Sequence, residues 1–359
     1  MKKRVAILGA TGSIGKSALD VISKDPDNFE VVLLSARSRI TELEQLKKQF
    51  PSAVCVNNNL LDAIRNVQPD ITVNGIAGSA GLEPSIAAIK SGSNLALANK
   101  ETIVMAGELV LKLAKEMGVN IIPVDSEHSA IYHLINGLGA PSEIILTASG
   151  GPFRKHTIQE MQNVTVEDAL AHPTWNMGTK ITIDSASMAN KGLEIIEACI
   201  LFKIQADNVK VVVHPQSIVH SMIRMHNGAF YAQLSKPDMR NPIADALYWP
   251  EIAPPAIDPL SFDSLTLEFE KPDTNKFPIL NLAWEAARLG KLYPCVYNAA
   301  NEEAVSCFIS NKCGFLDIPK IAEYVLQMDW SKEFDNIEAV LEADKKARLE
   351  AVNFIQKMR

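Results

Sequence analysis

The segment Arg4-Val5-Ala6-Ile7-Leu8-Gly9-Ala10-Thr11-Gly12-Ser13-Ile14-Gly15 decides the fold of the N-terminal part of the chain. Its apolar run has the length of a buried strand, and it enters three glycines at GxxGxxG spacing. Ala18, Val21 and Ile22 follow at helical spacing. Strand, glycine turn and helix form a variant of the dinucleotide fingerprint. The glycines permit the tight turn and let backbone N–H groups reach a pyrophosphate at the helix N-terminus, and Thr11 and Ser13 add hydroxyl donors. A βα turn without a ligand is the bland alternative. The strand before, the helix after and the N-terminal position favour a cofactor.

Outward from this turn, short apolar runs alternate with helix-like stretches: Arg4–Leu8, Glu30–Ser35, Ala53–Val56, Ile71–Asn74, Asn94–Ala98 and Asn120–Val124. That alternation predicts βαβ units and a parallel sheet, an α/β Rossmann-like dinucleotide-binding domain over residues 1–124. An NAD site usually ends its second strand in an acid that holds the ribose 2′-OH. Here the strand ends Ser35-Ala36-Arg37-Ser38-Arg39, with two guanidiniums and no acid, which suits the 2′-phosphate of NADP. The competing reading is a solvated basic face.

From Asp125 to about Leu247 the texture changes. Strand candidates at Ile144–Ala148, Lys180–Ile183, Val209–Val213 and Ala229–Leu234 are joined by Gly-, Ser- and Pro-rich loops. They predict a central α+β catalytic domain with a partly antiparallel sheet over 125–247. Residues 248–276, rich in Pro and Asp, read as a linker. Helical periodicity returns from Phe277, with Leu280, Ala283, Trp284 and Ala287 on one face and Gly290 as a stop. Ile337, Val340 and Leu341 begin a last long helix, and residues 277–359 read as a C-terminal helical bundle.

A chain of 359 residues predicts two or three domains, and its 47% hydrophobic and 21% charged residues describe an ordinary globular protein. The net charge of −7, with no basic cluster, argues against a nucleic-acid partner. The five cysteines, Cys55, Cys199, Cys295, Cys307 and Cys313, form no CxxC pair and read as reduced thiols of a cytoplasmic protein. No apolar run approaches about 18 residues, so no membrane span is expected. Met1-Lys2-Lys3-Arg4 and the apolar run after it imitate a signal peptide, but Gly9 and Gly12 break the run at once.

Candidate chemistry centres on Asp125-Ser126-Glu127, directly after the apolar run that ends at Val124. Two adjacent carboxylates repel unless a cation sits between them, and Glu194 offers a third. An oxygen-only set suits Mg2+ or Mn2+. For any single acid, a helix cap or a lysine partner explains it as well. Lys100, after the strand Asn94–Ala98, is placed to hold substrate oxygens. Ser149-Gly150-Gly151-Pro152 has the look of an anion-binding turn, and Ser185, Asn190 and Lys191 add donors that suit a phosphate. Each serine alone reads as well as a cap. His172-Pro173-Thr174-Trp175-Asn176-Met177-Gly178 reads as a loop, either a water-excluding lid or a segment packed on its own domain. The other histidines, His128, His133, His156, His214, His220 and His226, read as structural.

In combination these motifs resemble those of the 1-deoxy-D-xylulose 5-phosphate reductoisomerase family. The stretches that carry the resemblance are GATGSIG (9–15), LANKE (97–101), PVDSEHSAI (123–131), SGGPFR (149–154), HPTWNMG (172–178), DSASMANKGLE (184–194), HPQSIVHSM (214–222), PDMR (237–240) and NAANEEAV (298–305). They span nearly the whole chain. The resemblance implies that Asp125, Glu127 and Glu194 bind a divalent metal and that Ser126 and Lys100 contact the sugar. It implies that Ser149, Ser185, Asn190 and Lys191 hold the phosphate, with His172 near it. Thr11, Gly12, Ser13, Ile14, Asn99, Glu101 and Gly178 would contact NADPH, and Trp175 and Met177 would form the lid. It further implies a homodimer that converts 1-deoxy-D-xylulose 5-phosphate into 2-C-methyl-D-erythritol 4-phosphate, by a retro-aldol/aldol sequence or a 1,2-shift followed by reduction. The chain departs from the family pattern in shorter segments after Arg39 and between Ala130 and Ile144. It also has Ala36-Arg37-Ser38 where many members carry Gly-Lys-Asn. Two rival readings are weaker. A semialdehyde dehydrogenase needs a nucleophilic cysteine in a suitable loop, which none of the five has. A non-catalytic NADP sensor would have no use for the intact acids.

Overall fold

In the computed structural model, which describes residues 1–172, 174, 175 and 177–358, the chain divides into two compact units. The first comprises residues 1–102, 110–133 and 238–260. Its strands β1 (Lys3–Leu8), β2 (Phe29–Ser35), β3 (Val54–Val56), β4 (Ile71–Asn74), β5 (Asn94–Leu97) and β6 (Ile121–Pro123) form one parallel sheet in the order β3-β2-β1-β4-β5-β6. The parallel sheet is the one the alternating runs predict, and its strands take the doubly wound order. It reverses between β1 and β4, where open sheets of this kind leave a crevice at the carboxyl ends of their strands. Val5, Ala6, Ile7 and Leu8 are fully buried, as a strand covered on both faces requires.

The helix Arg240–Tyr248 packs with this first unit, although it lies at the end of the expected central domain. Ile243, Ala244 and Leu247 enter the same core as Ala18, Val21 and Ile22 of the helix Ser13–Ser23. Polar contacts fasten it. The Lys3 ammonium donates to the Leu247 carbonyl at 2.7 Å, and Arg240 bridges Asp238 and Asp20. An apolar helix face needs a partner, and spatial fit chose one far away in sequence.

The second unit comprises residues 103–109, 134–237 and 261–359. Its strands β7 (Glu143–Ala148), β8 (Val209–Val213), β9 (Val219–Arg224) and β10 (Phe230–Leu234) form a sheet in the order β10-β9-β7-β8. β7 and β8 are parallel and the other pairs antiparallel, the mixed sheet expected. β9 was not anticipated, although Val219, Ser221 and Ile223 alternate and are buried. Helices follow at Ile279–Leu289, Tyr293–Ile309, Asp317–Leu326 and Ile337–Lys357. Gly290, at φ +62°, ends the first of these as expected.

One expected strand is corrected. Lys180–Ile183 lies inside the helix Thr179–Ser187. Its β-branched residues suggest a strand, but the segment buries Ile183, Asp184, Ala186 and Ser187 on a helical face. Lys180 and Asp184 pair across one helical turn at 2.9 Å, and the Thr182 hydroxyl bonds back to the Gly178 carbonyl. Residues 261–276 have no regular element among them beyond the pairing of Glu270 with Val213. His214 anchors this segment. One ring nitrogen meets the Glu268 carbonyl, the other accepts the N–H groups of Ile218 and Val219, and the ring stacks on Phe269. No helix among the described residues is long and apolar enough to cross a membrane.

Candidate active site

In the first unit the glycine loop closes on itself. The Gly12 N–H donates to the Gly9 carbonyl (2.9 Å), and the Ala10 N–H to the Ser35 carbonyl (2.8 Å). Gly9 has φ +76°, a conformation that suits glycine. A Cβ on Gly15 would lie 2.5 Å from the Gly9 carbonyl oxygen and 2.5 Å from the Ala10 Cα, so only glycine allows the helix to start this close to the turn. Gly12 caps the helix Ser13–Ser23 with no side-chain hydrogen bond, leaving its first turn without the usual serine or aspartate cap. Ile14 packs beside Gly75, just past β4. The N–H groups of the helix's first turn, left without a side-chain cap, fit a pyrophosphate.

Ala36 is buried while Arg37, Ser38 and Arg39 are exposed beyond β2. Arg39 reaches back to the loop and donates to the Thr11 carbonyl at 2.7 Å. Its carboxylate neighbour Glu42 also pairs with Lys16 at 3.0 Å. The segment thus sets a guanidinium beside the glycine turn, which fits a phosphate-bearing ribose.

Asn99 caps the helix Lys100–Met117. Its oxygen accepts the Thr102 N–H, and its amide donates to the Gly78 carbonyl and to Glu101, both at 2.8 Å. Lys100, 4% exposed, forms a close ion pair with Asp125. Asp125 follows β6, and its carbonyl accepts the Ser129 N–H, so the chain turns at once into the helix Ser126–Leu138. Ser126 donates to the Glu127 carboxylate. His128, fully buried, lies 4.0 Å from Asp125 across one turn. Lys100 therefore offsets part of the charge that two adjacent carboxylates concentrate. The carboxylate oxygens remain a donor set suited to a hard cation.

In the second unit, His172 organises the anion-binding residues. Its Nδ1 accepts the backbone N–H groups of Thr174 (3.1 Å) and Trp175 (2.8 Å). In the neutral ring the proton is therefore on Nε2, which meets Ser149 Oγ at 3.0 Å and Ser185 Oγ at 3.1 Å. Burial lowers the His172 pKa and favours that neutral form. Gly150 and Gly151 have φ of +84° and +66°, and a Cβ on Gly151 would lie 2.8 Å from the Ser185 carbonyl. Glycine is what lets Ser149 stand against Ser185. Trp175 and Met177 are half-buried in the loop and Gly178 caps the next helix, while Pro173 and Asn176 of the same motif lie outside the described residues.

Met188, at φ +66°, turns the chain from the helix Thr179–Ser187 into the helix Ala189–Leu201. That second helix carries Asn190, Lys191 and Glu194. Glu194 is fully buried, accepts from Asn190 at 2.6 Å and forms a close ion pair with Lys191. Its oxygens are thus held in place by two neighbours, as a donor to a hard cation must be.

Family models described as 1-deoxy-D-xylulose 5-phosphate reductoisomerase match residues 5–60 and 52–107, its C-terminal domain 121–202, and the DXP reductoisomerase C-terminal domain 234–350. A relative of that name from Treponema denticola is 48% identical, covering 97% of this chain and 96% of its own. The chain belongs to the 1-deoxy-D-xylulose 5-phosphate reductoisomerase family. A reductoisomerase from Acinetobacter baumannii is 42% identical, covering 99% of both chains. A solved DOX-P reductoisomerase in complex with NADPH, fosmidomycin and magnesium has a TM-score of 0.92 at 38% identity, covering 99% of each chain. The reductoisomerase from Zymomonas mobilis in complex with NADPH gives 0.89 at 40% identity, again covering 99% of each chain.

Within this reductoisomerase-family chain, the sequence reading missed a polar cluster next to Ser185. Asp184, 1% exposed, pairs with Lys180 and accepts the Asn301 amide at 2.8 Å. Asn301 is fully buried and 117 positions away, so no local spacing announces it. His128, read as structural, is fully buried beside Asp125.

Proposed function

We infer that this chain is an NADPH- and divalent-metal-dependent enzyme that rearranges and reduces 1-deoxy-D-xylulose 5-phosphate to 2-C-methyl-D-erythritol 4-phosphate in the non-mevalonate isoprenoid pathway. Full-length family membership carries the reading: relatives at 42–48% identity match nearly all of the chain. The glycine cradle, the acids and the phosphate-type donors are all present.

The roles follow from chemistry. Thr11, Gly12, Ser13 and Ile14 would hold the cofactor pyrophosphate, with Ala36, Arg37 and Ser38 at the ribose phosphate and Asn99, Glu101 and Gly178 nearby. Asp125, Glu127 and Glu194 would supply the oxygen ligands of Mg2+ or Mn2+. When bound, NADPH supplies a hydride and the cation stabilises negative charge on substrate oxygen. Ser126 and Lys100 would position the sugar. Ser149, Ser185, Asn190 and Lys191, with His172, would bind the phosphate. That remote binding orients the reacting carbons. The imidazole of His172 touches both the phosphate serines and the loop backbone, so an occupied phosphate site would steady Trp175 and Met177 over the substrate and exclude water. Residues 1–124 would serve as the NADPH domain, with the helix Arg240–Tyr248 completing its core, the rest of 125–247 as the catalytic and dimerisation domain, 248–276 as linker and 277–359 as helical support. The reading extends to a cytoplasmic homodimer without membrane partners, and the net charge of −7 supports the absence of a nucleic-acid partner.

The test is NADPH oxidation with 1-deoxy-D-xylulose 5-phosphate, with and without Mg2+ or Mn2+. Metal-dependent turnover is expected, and none with either metal refutes the reading. Glu194→Gln is expected to abolish turnover while NADPH binding survives; near-normal turnover would rule out a metal role for Glu194.

A further inference from the structure

The helix Tyr293–Ile309 contacts both helices that carry the proposed phosphate donors. From one face, a turn apart, it extends Tyr297 and Asn301. Asn301 donates to Asp184, the residue before Ser185, at 2.8 Å. Because a carboxylate only accepts, the amide nitrogen must be the atom that faces it. Tyr297, fully buried, covers Gly192, the residue after Lys191. A Cβ on Gly192 would lie 2.0 Å from the Tyr297 hydroxyl oxygen and 3.1 Å from the Ala283 Cβ. The two contacted helices meet at Met188 in a left-handed turn that a non-glycine residue adopts only when its surroundings hold it.

We propose that Asn301 and Tyr297 are positioning residues that clamp the turn at Met188, so that Ser185 on one helix and Asn190 and Lys191 on the next converge on a single phosphate group. Neither residue touches substrate. Asn301 fixes the end of the first helix through Asp184, and Tyr297 fixes the start of the second by occupying the space that glycine leaves open. The proposal rests on the assignment of Ser185, Asn190 and Lys191 to the phosphate.

The experiment compares kcat and KM for 1-deoxy-D-xylulose 5-phosphate and for unphosphorylated 1-deoxy-D-xylulose, with NADPH and Mg2+. For Asn301→Ala, kcat/KM for the phosphorylated substrate should fall about ten- to a hundredfold, mostly through KM, while that for the unphosphorylated sugar stays within about twofold. Gly192→Ala should show the same selective loss, and Tyr297→Phe added to it should restore part of the activity, because it removes the oxygen at 2.0 Å and leaves the ring carbon at 3.0 Å, which must give by only a few tenths of an ångström. Equal losses on both substrates overturn the proposal. So does a Gly192→Ala loss that Tyr297→Phe leaves unchanged, which decides the matter even where Asn301→Ala does not fold. Lys191→Ala is the reference. If it shows no phosphate-selective loss, the phosphate assignment itself falls and the clamp with it. If it shows one and Asn301→Ala does not, the clamp alone is refuted.

Discussion

Gly15 stands where the first helix meets the backbone of its own turn, and a methyl carbon there would lie only 2.5 Å from the Gly9 carbonyl oxygen. Gly15→Ala must push the helix away from Gly9 and Ala10, at a cost of about 1–3 kcal/mol. NADPH affinity, followed by fluorescence titration, is expected to fall at least about tenfold. The second ring of contacts is ionic. Replacing Arg37 and Arg39 together by Ala removes charge-assisted donors worth about 1.5–3 kcal/mol each. It should weaken NADPH far more than NADH; equal weakening would show that these guanidiniums do not read the 2′-phosphate. His172 gives a pH signature. Its folded pKa is lowered by burial, so the unfolded chain takes up a proton first as pH falls below about 6.5. Stability linked to His172 is intact above that value and is lost as pH falls toward the folded pKa. Thermal unfolding of His172→Gln should lack this part of the acid slope; identical slopes would refute it.

At the scale of elements, local pattern was a good guide wherever local physics decides. All six parallel strands were legible, because each is a short apolar run bounded by turns. Asp125, Lys100 and Ser149 were legible as candidates because they follow such runs, whereas Ser185 was singled out beside a run that is in fact helical. Lys180–Ile183 was misread, because β-branched composition spoke for a strand while burial of Asp184 beside Lys180 and Asn301 demanded a helix. The packing of Arg240–Tyr248 against Ser13–Ser23 was illegible for a different reason: an amphipathic helix announces that it needs a partner, not which one. Leu247 tests that packing. It is fully buried in the core of the first unit, so Leu247→Ala should cost about 2–5 kcal/mol and lower the melting temperature. An unchanged melting temperature would show that this helix is not part of the core.

For the molecule as a whole, the proposed roles separate cofactor binding from chemistry. The pyrophosphate cradle is backbone N–H and glycine, which need no cation. The proposed metal ligands are carboxylates, which do. Chelation with EDTA should therefore stop turnover while NADPH still binds, and added Mg2+ should restore activity. Loss of NADPH binding on chelation would contradict this separation.

The core of the first unit is closed by residues 240–247, which the chain supplies only after it has built much of the second. During synthesis, a nascent N-terminal segment that has already emerged to Tyr132 must wait for roughly a hundred further residues. At about 5–20 residues per second, that is on the order of ten seconds. Through that interval Ala18, Val21 and Ile22 lack their final cover. The price of borrowing a helix from downstream is a period of exposure on the ribosome. A fragment ending near residue 133 would prolong that exposure indefinitely, so it should emerge as an aggregation-prone species rather than as a separable nucleotide-binding module.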